Sequence, residues 1–261
     1  MAELDDAYAN VPHIPGGAQY PARWTVAAAA FRARIGARAE LGLSYGDGAR
    51  QAFDLFHPAG EAQGLCVFVH GGYWLRFDRS FWSHLAAGPL ARGWAVAMPS
   101  YDLCPEVRIA DITRQIAKAV SVAAGRVAGP VALAGHSAGG HLVARMAVAG
   151  VLPSTMAARL RHVMPISPVS DLRPLLQTSM NADFCLDMAG AEAESPVLMQ
   201  PMAVPVTVWV GGDERPVFLD QARWLAEAWS APLEIAQGEH HFNVIEPLAD
   251  PASAMVARLL G

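Results

Sequence analysis

Lysine is almost missing from this chain. Lys118 is its one example, the rest of the 19 basic residues are arginines without a cluster, and 24 acidic residues bring the formal net charge to −5. Such a balance offers no surface for nucleic acid or an anionic membrane. Cysteine is scarce too: Cys66, Cys104 and Cys185 are far apart and show neither CxxC nor Cys/His ligand spacing. That excludes a disulfide framework, zinc and redox chemistry, and predicts three buried free thiols. No apolar run approaches the roughly 18 residues of a membrane span. The opening Met-Ala-Glu-Leu-Asp-Asp is acidic where a secretory signal is basic, and no apolar stretch follows; a cytoplasmic protein is expected. Internal repeats and low-complexity linkers are also lacking, so 1–261 reads as a single domain.

Hydrophobic residues make up 53% of the chain, ample for a deep core. Short apolar runs ending in Gly, Ser or Pro alternate with longer amphipathic stretches, the βαβ rhythm of a sheet covered on both faces. Strands are expected at Ala52–Phe56, Leu65–Val69, Ala95–Ser100, Val131–Gly135, Val163–Ser167, Val206–Val210 and Leu233–Ala236. Helices are expected at Arg79–Arg92, Ile112–Ala128, Gly140–Ala149, Val217–Trp229 and Ala252–Leu260. Ile109, Ile112, Ile116, Ala119 and Val122 recur every three to four residues and define the core-facing stripe of the second helix. Residues 1–40 and 172–202 break the rhythm. Both are read as cap segments, because excursions at the carboxyl edge of an α/β sheet shape its pockets.

Gly135-His136-Ser137-Ala138-Gly139 follows the apolar run Val131–Ala134 and precedes a helical stretch. A GxSxG pentapeptide in this strand-turn-helix setting presents its serine as a nucleophile. A serine hydroxyl is weak at neutral pH, so it requires a histidine base, and the base requires a carboxylate to fix its tautomer and orientation. The expected chain order is Ser, acid, His, each after a later strand. Two carboxylates, Asp213 and Glu214, follow Val206–Val210. Spacing from Gly211 favours Glu214, with Asp213 kept as the alternative. Only His240 and His241 lie beyond the acid, and His241 is preferred because the adjacent Phe242 can anchor the loop. Metal binding by this pair is set aside, since side chains of neighbouring residues on an extended loop diverge.

Negative charge built on the carbonyl oxygen requires donors. His70-Gly71-Gly72-Tyr73-Trp74 follows Leu65–Val69, and its glycines let the backbone turn its amides toward the site. The amides of Gly72, Tyr73 and Ala138 are therefore the candidate oxyanion hole, and the Tyr73 and Trp74 rings the candidate wall for substrate. Asp102 and Glu106 are assigned to a loop rather than to a paired-carboxylate site, and His136 and His141 to packing or hydrogen bonding.

Laid out this way, the chain resembles the α/β-hydrolase superfamily from about residue 7 to 250. Within it, the likeness is to the branch shared by hormone-sensitive-lipase-like esterases and kynurenine formamidases. His70 to Trp74 matches the HGGYW of the formamidases, and Tyr101-Asp102-Leu103-Cys104-Pro105-Glu106 resembles their YxLxPE segment. Tyr45-Gly46 leading to Asp54-Leu55-Phe56, Ser167 to Leu172 with Asn181, and Glu214-Arg215-Pro216-Val217-Phe218 with Gln221 extend the match. Val217 departs from the Glu that formamidases often carry there.

The resemblance implies an α/β-hydrolase fold with a mostly parallel sheet, Glu214 as the acid of a Ser137-His241-Glu214 triad, and no cofactor or metal. It also implies a small-molecule substrate, the formyl group of N-formylkynurenine or a related aryl formamide being the expected target. A homodimer is left open. The alternative activity is a carboxylesterase for short-chain acyl esters, and a third reading is a binding protein of the same fold without turnover.

Overall fold

The chain was examined as a computed structural model that describes residues 2–261. Eight strands form one sheet: β1 (Ala39–Ser44), β2 (Ala52–Phe56), β3 (Leu65–Val69), β4 (Ala95–Pro99), β5 (Val131–His136), β6 (Leu160–Ile166), β7 (Val208–Gly211) and β8 (Leu233–Ala236). Their order across the sheet is β1-β2-β4-β3-β5-β6-β7-β8, and β2 alone runs against the others. Nine helices surround it: α1 (Tyr20–Ile35), α2 (Ala87–Ala91), α3 (Ile109–Arg126), α4 (Ala138–Met146), α5 (Ser154–Ala157), α6 (Asn181–Phe184), α7 (Met188–Glu194), α8 (Pro216–Trp229) and α9 (Ala254–Leu260) among the described residues.

The central strands are apolar throughout because both faces are buried. In β3, Leu65, Val67 and Val69 join the core beneath α3, α4 and α8, while Cys66 and Phe68 join the core beneath α1, α2 and α9. This alternation is the two-residue period of a strand expressed on a sheet with two cores.

Three expectations need correction. β1 is not among the expected strands; it begins at the end of the 1–40 segment read as cap, and as an antiparallel edge strand it is mostly exposed and bulged between Glu40 and Leu43, so it carries no apolar alternation. The helix expected over Arg79–Arg92 is two 3-10 turns, Arg79–Phe81 and Ser83–Ala86, followed by the short α2. Pro89 has no amide proton, so it is tolerated in the first turn of α2 but not inside a longer helix. Cys185 is exposed, whereas Cys66 and Cys104 are buried.

The 172–202 segment holds 3-10 turns at Arg173–Gln177 and Pro196–Leu198 besides α6 and α7. Much of it is fastened to the body of the domain. Glu194, buried at the end of α7, accepts from Thr113 Oγ1 at 2.7 Å and pairs with Arg145 Nε at 3.1 Å. No helix among the described residues is long and apolar enough to cross a membrane.

Candidate active site

The residues singled out as chemical converge at the carboxyl edge of the sheet, because each follows a parallel strand: Gly71-Gly72 after β3, Ser137 after β5, Glu214 after β7 and His241 after β8; Ser167, after β6, joins them there. Ser137 sits at φ 57° and ψ −117°, a strained turn between β5 and α4. The flanking glycines make that turn possible: a Cβ on Gly135 would lie 2.2 Å from the Gly139 carbonyl oxygen, and one on Gly139 only 2.0 Å from that of Val69.

Glu214 is buried and Asp213 exposed, so the two carboxylates left open by spacing occupy different environments. Glu214 Oε1 accepts from the Gly211 amide at 2.9 Å and from the Ser167 hydroxyl. Its Oε2 meets His241 Nδ1 at 2.5 Å, which leaves Nε2 of the same ring for a partner on the cavity side. Ser137 and His241 line one cavity of about 480 Å³. His240 turns away, its Nε2 3.1 Å from the Tyr20 hydroxyl on α1 and its Nδ1 accepting from the Phe242 and Asn243 amides.

After β3 the backbone takes three consecutive left-handed residues: Gly72 at φ 110°, Tyr73 at φ 53° and Trp74 at φ 56°. Runs of this kind turn successive amides into a concave donor nest. The N–H groups of Gly72, Tyr73 and Ala138 have no acceptor among the described residues. Beneath the turn, His70 is stacked between Tyr101 at 4.4 Å and Trp82 at 5.6 Å, and burial pushes its imidazole down to about 4. It is therefore a neutral support for the turn. The Tyr73 hydroxyl donates to the Tyr8 carbonyl at 2.7 Å, and burial, reinforced by Tyr8 and Glu214, holds its pKa well above the usual value.

Trp74 does not line the cavity, which corrects its assignment to the substrate wall. Its side chain is fully buried, edge-on to His141 at 5.1 Å and Phe184 at 5.7 Å. The aromatic wall comes instead from Trp24, Phe77, Trp82 and Phe242, with Tyr73 among the lining residues. Sequence reasoning missed these four and Ser167; the crowding of aromatics between Tyr73 and Trp82 was the available signal. His141 Nε2 reaches the Glu194 carbonyl at 2.7 Å and joins α4 to α7. His136 lines the cavity and packs on the His241 ring at 4.6 Å, and burial drives its pKa well below the usual value. Asp102 is a loop residue bound by the side-chain amides of Gln51 and Gln115.

The N-terminal segment covers this cavity. Asp5, Tyr8, Asn10 and Pro12 line it, whereas the 172–202 segment contributes Ser179 and Met180. The strap is pinned between residues 5 and 8: Asp6 pairs with Arg215 at 2.8 Å, Asp5 accepts from the Ser179 amide at 2.7 Å, and the Tyr8 hydroxyl accepts from Gln221 at 2.9 Å.

Residues 66–232 match the family described as alpha/beta hydrolase fold. A kynurenine formamidase of Drosophila melanogaster is 30% identical over 231 residues, covering 79% of this chain and 76% of that protein. The chain is an α/β-hydrolase of the kynurenine formamidase branch. A kynurenine formamidase of Salmo salar is 26% identical over 84% of this chain and 80% of its own length. A solved structure from Silicibacter sp. TM1040, described only provisionally as a thioesterase, is 62% identical with a TM-score of 0.99 over the whole of both chains. Esterase B of Lactobacillus rhamnosis, at 19% identity and a TM-score of 0.64 over 92% of this chain and 90% of its own, shares the fold. The chain is accordingly a hydrolase acting on a small molecule.

Proposed function

We propose that this hydrolase removes the formyl group from N-formylkynurenine or a closely related aryl formamide, using Ser137, His241 and Glu214. The observation that carries the reading is the 2.5 Å contact of His241 with buried Glu214, beside the strained Ser137 in a cavity walled by aromatic rings. Relatives named kynurenine formamidase favour the formyl group over larger acyl groups.

In this mechanism, Ser137 Oγ attacks the formyl carbon while His241 Nε2 takes its proton, and Glu214 stabilises the resulting imidazolium. The amides of Gly72, Tyr73 and Ala138 hold the oxyanion, each such donor being worth about 10²–10³ in rate. His241 returns the proton to the nitrogen as the C–N bond breaks, and the aromatic amine leaves against the wall of Trp24, Phe77 and Trp82. Water then adds to the formyl-enzyme with His241 again as base, and collapse of the second intermediate frees formate and Ser137.

A second reading, hydrolysis of short-chain esters or thioesters by the same residues, is supported by the provisional description of the 62% identical relative. One assay separates the two. Purified protein is offered N-formylkynurenine, p-nitrophenyl acetate and butyrate, and an acetyl thioester. The formamidase reading expects the highest kcat/KM with the formamide and strong rejection of butyrate; a formamide rate no better than the ester or thioester rate rejects it.

A further inference from the structure

Asn10, on the strap, is 7% exposed and lines the cavity, and its Oδ1 has no hydrogen-bond partner among the described residues. Buried polar atoms are almost always paired, because burial strips them of water without compensation. An unpaired amide oxygen on a cavity wall is suited to a donor carried in by the ligand. Trp24 Nε1, Trp82 Nε1 and His136 Nε2 are unpaired as well, but they belong to the aromatic wall. Asn10 Oδ1 is the unpaired buried atom that the strap itself contributes.

Two charges line the same cavity. Asp5 lines the cavity, and the Ser179 amide donating to its carboxylate holds its pKa below the usual value, so it is an anion at neutral pH. Arg76, on the turn that follows Trp74, is exposed, lines the cavity and pairs with no carboxylate among the described residues. Arg79, Arg145, Arg173 and Arg215 each have such a partner. The lining of one cavity thus offers an acceptor, an anion and an unpaired cation. An ammonium and a carboxylate on one carbon answer all three, whereas the alkyl group of a simple ester or thioester answers none.

We infer that Asn10 and Arg76 are specificity-determining residues for an α-amino-acid head group on the substrate, Asn10 Oδ1 with Asp5 receiving the ammonium and Arg76 the carboxylate. The inference rests on the formamidase reading of the same site and adds to it the residues that select the leaving group. Hydrogen bonds to charged groups are about twice as strong as neutral ones, so loss of either residue reads as roughly a tenfold change.

The test compares N-formylkynurenine with ortho-formamidoacetophenone, which keeps the ring, the ketone and the formamide but lacks the amino acid. Wild-type enzyme is expected to prefer the former. Arg76→Gln and Asn10→Ala are each expected to shrink that preference roughly tenfold, chiefly through KM, and Asn10→Asp to restore it. Equal use of both formamides by wild type, or a variant that slows both alike, overturns the inference while leaving the formamidase reading intact. Turnover of neither formamide overturns both. Arg76 is exposed on a surface turn, so its variant reports even if the strap is displaced by substitution at Asn10.

Discussion

Ser167, held at φ 47°, donates its hydroxyl to the carboxylate that also contacts His241. The division of labour on Glu214 is asymmetric. Oε1 is occupied by Ser167 and the Gly211 amide, so Oε2 is fixed in the direction of the imidazole. Ser167→Ala is expected to lower kcat/KM by about ten- to a hundredfold, because a hydrogen bond to a charged group contributes about 1.5–3 kcal/mol. A kcat effect with KM nearly constant is the signature of a disoriented base; an unchanged kcat removes Ser167 from the positioning of the acid.

Ser137→Ala is expected to reduce kcat by roughly 10⁴-fold or more and to abolish labelling by a phosphonate, read by mass spectrometry. The two neighbouring carboxylates separate cleanly in the same assay. Glu214→Gln should cripple turnover, while Asp213→Asn, exposed on the loop, should leave it near wild type. The reverse ranking would move the acid to Asp213.

Trp74→Ala is expected to act on stability. A fully buried indole packed on His141 and Phe184 costs about 3–5 kcal/mol to delete. Urea denaturation reads that loss. Unchanged stability with a raised KM would return Trp74 to the substrate wall.

Stability should also fall in mild acid. Burial holds the His70 and His141 imidazoles at about 4, against 6.5 for the free group. Between those values the unfolded chain binds protons that the folded one does not, so folding weakens as pH drops from 6.5 toward 4 and is unaffected by these groups above that window. Each can contribute a slope of up to about 1.4 kcal/mol per pH unit. Denaturant midpoints measured across the window check the sign; a flat profile would show that these rings are not held neutral.

What could be read from the sequence follows from where residues sit relative to strand ends. β2, β3 and β8 are legible to the residue because each is a short, mostly apolar run closed by His-Pro, His-Gly or Gln-Gly. The positions of Ser137 and His241 come from that same punctuation. β1 is illegible because an exposed edge strand has no buried face to impose alternation. Trp74 is misread because sequence order puts it beside Tyr73, while only Tyr73 lines the cavity and the Trp74 indole is fully buried against His141 and Phe184. Ser167 and the aromatics of the wall are invisible to local patterns: their roles depend on contacts 47 residues away in the case of Ser167 and Glu214, and on α1 folding back over the sheet for Trp24.

The strap of residues 2–13 belongs to no strand or α-helix of the sheet framework and is held by a few ion pairs and hydrogen bonds and by the buried Tyr8, which packs on Phe218. On the readings proposed above, the bond-breaking groups sit on the sheet framework, while part of the recognition of the departing group, Asn10 and Asp5, sits on the strap. A change at Asn10 or Asp5 leaves the two core layers untouched, whereas a change near Ser137 disturbs several residues of them. On that reading, substitution at these two strap positions alters which departing group is accepted while acyl transfer is kept.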